Sequence, residues 1–198
     1  MQSATGAIPD SAFRACFKMP SGTTITGRAS SIRNVFVAAI VSVIPPSADE
    51  IRQVLTILET TPSDLECAYC GSRATEWDHL RPLVEKGKPT GYITCIRNLV
   101  PSCGKCNQSK GKSDWKTRMM SNARLSPKSR SIADVEARIA RLTSFEEWAK
   151  CAPIRIEEHV NPEMWAQYYR LQDEILEKMR EAQRLALGIS KSLNAVSP

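Results

Sequence analysis

Four cysteines in two Cys-x-x-Cys pairs frame a 41-residue stretch, Cys67 to Asn107, of this 198-residue chain. Cys67 and Cys70 form the first pair and Cys103 and Cys106 the second, with 32 residues between the pairs. Thiolates at this spacing are typical ligands of one tetrahedral zinc ion, and a closed four-sulfur shell leaves no position open for a substrate. We therefore expect a structural zinc that replaces part of the core of a small unit. Iron in the same shell is the alternative.

An Asp-His pair, and an asparagine beside the last cysteine, supply side chains that suit hydrolysis. His79 is one of only two histidines, and a neutral imidazole is the natural group to take a proton from water near neutral pH. Asp78 and Asn107 offer hard oxygen ligands, which suit magnesium or manganese better than a second zinc. Neighbours on a regular strand face opposite ways, so Asp78 and His79 meet at one phosphate only if the strand curls after His79.

Positive charge is concentrated in the same part of the chain. The net formal charge is +6, and residues 63–130 alone carry thirteen Lys/Arg against six Asp/Glu. A basic surface around a candidate hydrolytic site indicates a polyanionic substrate, and nucleic acid is the first candidate. The alternative is a basic face that is only solvated. The candidate phosphate contacts are Arg81, Arg97, Lys105, Lys110 and Lys112.

Helix signals dominate both ends of the chain, which predicts an α+β fold that is mainly helical. A helical region is expected over residues 1–62. Pro9-Asp10-Ser11 starts a short helix there, and the capping box of Ser47 and Glu50 starts another. A second helical region is expected over residues 119–198. Its first part, residues 119–130, is rich in Ser, Arg, Lys and Pro, which predicts a linker.

The middle region, residues 63–118, reads as a β-hairpin followed by a helix. Residues 74–79 are short and extended, and the Pro- and Gly-rich residues 80–91 predict a loop. A helix is expected to begin near the second cysteine pair and to pass Asn107. Trp77 and Trp115 have rings that can stack on bases, but we expect them to pack against the small zinc unit.

The C-terminal region predicts helices over 131–142 and 144–150 and then a long one from Asn161-Pro162 to about Leu187, ended by Gly188. The long helix carries an apolar stripe at alternating three- and four-residue steps, which suits either a core within the monomer or the seam of a homodimer. The members of that stripe are Trp165, Tyr168, Ile175, Met179, Ala182 and Ala186.

The order Cys-x-x-Cys, Asp-His, Asn-Leu, Cys-x-x-Cys-Asn resembles the HNH endonuclease family with its ββα-metal fold, including the zinc-stapled junction-resolving members. The resemblance covers residues 67–112, roughly a quarter of the chain. It implies that His79 is the general base and that Asp78 and Asn107 bind the catalytic magnesium or manganese. It further implies that Asn98 holds the loop of His79 in its working orientation, and that cleavage leaves 5′-phosphate and 3′-hydroxyl ends. The family often has histidine where this chain has Asn107, a departure that keeps an oxygen ligand.

A free-standing chain with this site and flanking helices predicts a restriction or defence nuclease acting on DNA. A structure-selective resolvase, which needs the same site on a two-fold dimer, is a second hypothesis, and a zinc-stapled nucleic-acid-binding module without catalysis is a third. The longest apolar run, Val35 to Ile44, is about half the length that spans a bilayer, so no membrane association is expected. No secretory signal is visible at Met1, and the expected location is cytoplasmic.

Overall fold

The computed structural model describes residues 11, 14–15, 17–18 and 20–196. The short helix that Pro9-Asp10-Ser11 predicts lies for the most part outside these residues. Within them the helices are α1 (Ala29–Ile40), α2 (Ala48–Ile57), α3 (Gly104–Lys110), α4 (Trp115–Met119), α5 (Val135–Ala149) and α6 (Pro162–Asn194). The strands are β1 (Glu76–His79), β2 (Val84–Glu85), β3 (Lys88–Pro89) and β4 (Leu99–Ser102). The predicted α+β class, mainly helical around a small ββα unit, is confirmed.

The ββα unit consists of β1, β4 and α3. Strands β1 and β4 are antiparallel, with His79 opposite Leu99 and Glu76 opposite Ser102, and α3 follows directly after β4. The predicted antiparallel strand pair followed by a helix is present, but nineteen residues separate the two strands and contain a second small hairpin, β2–β3. That hairpin lies in the range predicted to be a loop. It was missed because its strands are only two residues long, too short for a period-two pattern.

The helix signals at both ends are mostly confirmed, and the differences have local causes. Ser47 and Glu50 form the predicted capping box at α2, and Asn161 caps α6 through its side chain. Helix α6 does not end at Gly188 but continues to Asn194, because an exposed glycine costs a helix only about 1 kcal/mol. The two helices predicted over 131–150 form one helix, α5.

Residues 119–130 are not a linker. Met119 and Ser126 are buried, the Ser126 hydroxyl donates to the Ser121 carbonyl at 2.6 Å, and the Arg130 guanidinium donates to Cys106 Sγ at 3.2 Å. Polar residues in turns satisfy one another here, and composition alone does not reveal this.

One hydrophobic core joins the three ranges of the sequence. Val54 and Leu58 of the N-terminal region pack with Val100 of the ββα unit and with Leu142 and Phe145 of α5. Separately, α6 packs along α1, where the Tyr168 and Phe36 rings lie 5.0 Å apart. No helix in the described part of the chain is long and apolar enough to cross a membrane.

Candidate active site and zinc centre

The four cysteines of the two pairs come together in one buried cluster. Their Sγ atoms all lie within 4.8 Å of one another, and Cys70 Sγ is 3.8 Å from Cys103 Sγ. A tetrahedron with Zn–S bonds of about 2.3 Å has edges of roughly 3.8 Å, so the sulfur arrangement fits zinc. The fold brings the pairs together because Cys67 and Cys70 lie in the turn packed beside β4, while Cys103 caps α3 and Cys106 lies in its first turn.

Hydrogen-bond donors surround these sulfurs. Arg130 Nη1 donates to Cys106 Sγ at 3.2 Å, and the Ser72 hydroxyl lies 3.1 Å from Cys70 Sγ. Four thiolates around a bound Zn²⁺ would carry a net charge of −2, and a nearby guanidinium would offset part of it. Arg130 was not among the predicted site residues, because it lies in the segment predicted to be a linker.

The Asp78 carboxylate points toward α3 and is buried, with 5 % of the residue exposed. The Tyr69 hydroxyl donates to Asp78 Oδ2 at 2.7 Å, and the Lys110 ammonium lies 3.3 Å from both carboxylate oxygens. Burial raises the pKa of Asp78, while the Lys110 charge and the hydrogen bond from Tyr69 oppose that rise. Lys110 is itself buried and also donates to the His79 carbonyl at 2.8 Å.

One turn earlier on α3, Asn107 pairs with a residue that sequence analysis missed. Asn107 Nδ2 donates to Glu76 Oε2 at 2.6 Å. Glu76 lies two residues before Asp78 on β1, so both carboxylates face α3. A Cβ on Gly104 would meet Glu76 Oε1 at 2.9 Å, so this glycine leaves the room that the carboxylate needs. Period-two spacing from Asp78 is the signal that points to Glu76.

The His79 imidazole lies on the other face of β1. Its Nε2 is hydrogen-bonded to Thr94 Oγ1 at 2.9 Å. Strand β1 stays paired through His79 opposite Leu99 and does not curl before its end. Asp78 and His79 therefore point to opposite faces, as a regular strand requires. Burial lowers the pKa of His79; the Lys110 charge acts in the same direction and the Asp78 charge opposes it.

Asn98 is fully buried and ties together the two loop segments beside His79. Its Oδ1 accepts from the Arg81 backbone N–H at 2.8 Å, and its Nδ2 donates to the carbonyls of Arg81 and Ile93 at 3.1 and 3.2 Å. The Leu80 N–H donates to the Asn98 carbonyl at 2.9 Å. These bonds fix the chain immediately after His79 and immediately before Thr94, which is the kind of contact that the predicted role of Asn98 requires.

The five candidate phosphate contacts differ in exposure and in the groups with which their side chains pair. Lys105 and Lys112 are exposed, whereas Lys110 is buried against Asp78. Arg81 pairs with Glu146 at 2.5 Å and with Asp114 at 3.7 Å. Arg97 pairs with Glu50 at 3.5 Å and lies 4.7 Å from the Trp148 ring centroid.

The two candidate stacking tryptophans have opposite environments. Trp115 is 1 % exposed and belongs to the core, as expected, whereas Trp77 is 48 % exposed. Trp77 lines an apolar groove of about 290 Å³ together with Thr94, the partner of His79. The groove lies on the His79 face of β1, since Trp77 and His79 are two residues apart.

Residues 67–113 match the family model for HNH endonuclease. The matched range contains the four cysteines, β1 through α3, and Asp78, His79, Asn98 and Asn107, so the resemblance seen in the sequence is confirmed over this segment. The matching segment is that of a nuclease family. Neither the comparison with curated proteins nor that with solved structures gives a match.

Proposed function

We propose that this protein is a metal-dependent endonuclease that hydrolyses DNA phosphodiester bonds, with His79 as the general base. One observation carries the proposal: within the HNH-matching segment, the imidazole of His79 is held by Thr94 while Asn98 ties the flanking loops together. A base has to be oriented in advance to take a proton from one particular water molecule.

The electrostatic setting of His79 supports this role. Its lowered pKa favours the neutral imidazole, the form that can accept a proton, near neutral pH. In the tautomer whose Nε2–H donates to Thr94 Oγ1, Nδ1 is the nitrogen that takes the proton from water. His79 takes the proton as the water oxygen attacks phosphorus, the bond to the 3′ oxygen breaks, and solvent supplies a proton to that departing oxygen. The products are a 5′-phosphate and a 3′-hydroxyl end.

The oxygen donors between β1 and α3 fit a divalent cation in their chemistry. Asn107 with Asp78 would hold it, as the resemblance implies, and Glu76 adds a carboxylate on the same face. Asp78 would share its carboxylate with Lys110, which already lies beside both oxygens. When bound, magnesium or manganese would supply positive charge that stabilises the developing charge on the phosphate and the leaving oxygen. Because Asp78 and His79 point to opposite faces of β1, the proposal requires the phosphate to lie across the end of that strand, where it can reach both side chains. Lys110 fixes the Asp78 carboxylate and the His79 carbonyl relative to each other.

Substrate and biological role are proposed from the charge and the apolar surfaces. Exposed Lys105 and Lys112 are the basic candidates best placed to contact phosphates, and Arg81 and Arg97 have partial access. A restriction or defence role is the leading proposal. A junction resolvase remains the second candidate, because apolar side chains of α6 such as Ile175 stay exposed and allow a two-fold dimer.

The test is incubation of the full chain with supercoiled plasmid, linear duplex, branched DNA and RNA in the presence of magnesium. Discrete duplex fragments are expected for a restriction enzyme, and cuts confined to branch points indicate a resolvase. His79→Ala is expected to lower the rate by at least about a hundredfold. The matched control is His159→Ala, because His159 is exposed and lies outside the HNH-matching segment. Absence of any product, or equal rates for the two variants, would overturn the proposal.

A further inference from the structure

A cleft of about 680 Å³ opens between the β2–β3 hairpin and the turn that joins α3 to α4. Six charged residues line it: Arg81, Glu85, Lys86, Lys88, Lys112 and Asp114. We call this cleft, with these residues, the basic cleft. Four of the six are cationic, and Arg81 is already paired with Asp114 and Glu146.

The hairpin holds two of the lysines at the rim of the cleft. Lys86 and Gly87 form its turn with φ of 50° and 79°, and Glu85 pairs with Lys88 across it. Two consecutive positive φ angles are typical of the tight type I′ turn, whose twist matches that of the two strands. Lys86 and Lys88 therefore project from a defined backbone and not from a loose loop, and both are exposed.

A third element adds to this basic surface. A Cβ on Gly87 would meet the Arg33 side chain at 2.7 Å, so Arg33 of α1 packs directly on the hairpin turn. On the far side, Lys112 Nζ lies 3.5 Å from the neutral Asn34 side chain of the same helix. Helix α1 thus contacts both the hairpin turn and Lys112, and its Arg33 charge lies beside the hairpin that lines the basic cleft.

The lysine charges of the basic cleft are available for a ligand. Among the ion pairs formed in the described part of the chain, none involves Lys86, Lys88 or Lys112. Glu85 is the remaining acidic group at the rim. Three uncompensated ammonium groups in one concave surface attract a polyanion.

The lining of the basic cleft includes residues from the two chain segments next to the candidate active site. Arg81, which lines it, lies two residues after His79, and Tyr92, which also lines it, lies two residues before Thr94. A chain of phosphates lying in the cleft would continue toward the imidazole. Tyr92 is the one aromatic side chain in this lining, whereas proteins that bind single strands typically stack successive bases on several aromatic rings.

We infer that the basic cleft binds the phosphate backbone of duplex DNA, with Lys86, Lys88 and Lys112 as its charged contacts and Arg33 supporting the hairpin. The inference rests on the proposed endonuclease function and adds the path of the substrate. Lys86, Lys88 and Arg33 are not among the five basic residues that the sequence predicts as phosphate contacts.

Binding of the full chain to a labelled 20-base-pair duplex, measured by fluorescence anisotropy without added magnesium or manganese, tests the inference apart from cleavage. The test variant is Lys86→Gln/Lys88→Gln/Lys112→Gln. The matched control, Lys128→Gln/Lys150→Gln/Lys191→Gln, removes the same charge from exposed positions outside the basic cleft. Each phosphate contact adds about −0.9 to the slope of log affinity against log salt concentration. Loss of the three lysines should therefore make that slope less steep by about 2 to 3.

At about 100 mM salt the test variant is expected to bind duplex DNA at least tenfold more weakly than the parent, and the control within about threefold of it. Equal losses in both triple variants would overturn the inference, as would a loss seen only with single-stranded DNA or RNA. His79→Ala separates the two proposals, because it is expected to bind like the parent while failing to cleave. If the parent protein binds DNA through the basic cleft but cleaves nothing, the proposed endonuclease function is refuted, whereas the proposed DNA binding by the cleft is supported.

Discussion

Thr94 Oγ1 lies 2.9 Å from Nε2 of His79, and the backbone of Thr94 is held by the N-terminal region. The Thr94 N–H donates to the Ser42 carbonyl at 3.0 Å, and the Ile44 N–H donates to the Thr94 carbonyl at 2.9 Å. The segment between α1 and α2 therefore forms a short bridge next to the ββα unit. Through that bridge, a region without catalytic residues of its own fixes the orientation of the proposed base.

Replacing Thr94 by valine should lower kcat by roughly ten- to a hundredfold with little change in KM, because the imidazole loses its orientation while the DNA-binding surface is untouched. Thr94→Ser keeps the hydroxyl and should recover most of the rate. Steady-state cleavage of a short duplex by both variants gives kcat and KM separately. Equal losses for valine and serine would show that Thr94 contributes only packing.

The pH dependence of cleavage should report the lowered pKa of His79. The base acts in its neutral form, and burial favours that form, so the midpoint of the acidic limb should lie below 6.5, the usual pKa of histidine. Rates at saturating magnesium between about pH 5 and 9 provide the measurement. A midpoint of the acidic limb at or above 6.5 would contradict the assigned environment of the imidazole.

Lys110→Met should destabilise the protein by about 3–5 kcal/mol, because it leaves the buried Asp78 carboxylate without its counter-charge. Urea unfolding measures this loss. Lys112→Met is the control, since Lys112 is exposed and should change stability by less than about 0.5 kcal/mol. If Asp78 also holds the divalent ion, manganese should restore more stability to Lys110→Met than it adds to the parent. A Lys110 variant as stable as the parent would rule out a structural role for the ion pair.

Cys103→Ser should release the zinc and unfold the ββα unit, because the metal contributes the folding free energy of a small stapled domain. Metal analysis should find about one zinc per parent chain and none in the variant, with a parallel loss of circular-dichroism signal. Cys151→Ser controls for the loss of a thiol, since Cys151 lies outside the four-cysteine cluster. A folded, zinc-free Cys103 variant would show that the ββα unit does not need the metal site to fold.

The C-terminal helix α6 should mediate a homodimer. Its predicted stripe is split: Tyr168 packs on Phe36, whereas Ile175 is 42 % exposed and lines a surface cleft with Met179. Ile175→Glu with Met179→Glu should convert a dimer into a monomer in light scattering and should turn double-strand cutting into nicking. Gln167→Glu, on an exposed position of the same helix, controls for added negative charge. If the parent is monomeric with and without DNA, yet linearises plasmid in one binding event, the apolar stripe packs within the monomer and does not form a dimer interface.

Features with a local physical cause were accessible from the sequence. Two Cys-x-x-Cys pairs predict a zinc centre because this spacing lets each pair offer two thiolates to one tetrahedral ion, and the four sulfurs do converge. The capping box of Ser47 and Glu50 and the Asn161-Pro162 start of α6 are confirmed, because helix ends depend on hydrogen bonds between residues a few positions apart.

Contacts between distant parts of the chain were decided by the tertiary structure. Lys110 appears in the sequence as one basic residue among many, and only the packing of α3 on β1 buries it against Asp78. Thr94 has no sequence signal at all, since its relation to His79 depends on the loop that Asn98 and the α1–α2 segment fix. Strand pairing kept Asp78 and His79 on opposite faces, because β1 remains hydrogen-bonded to β4 up to its last residue. Sequence periodicity therefore located the chemical groups, and long-range pairing determined which of them meet.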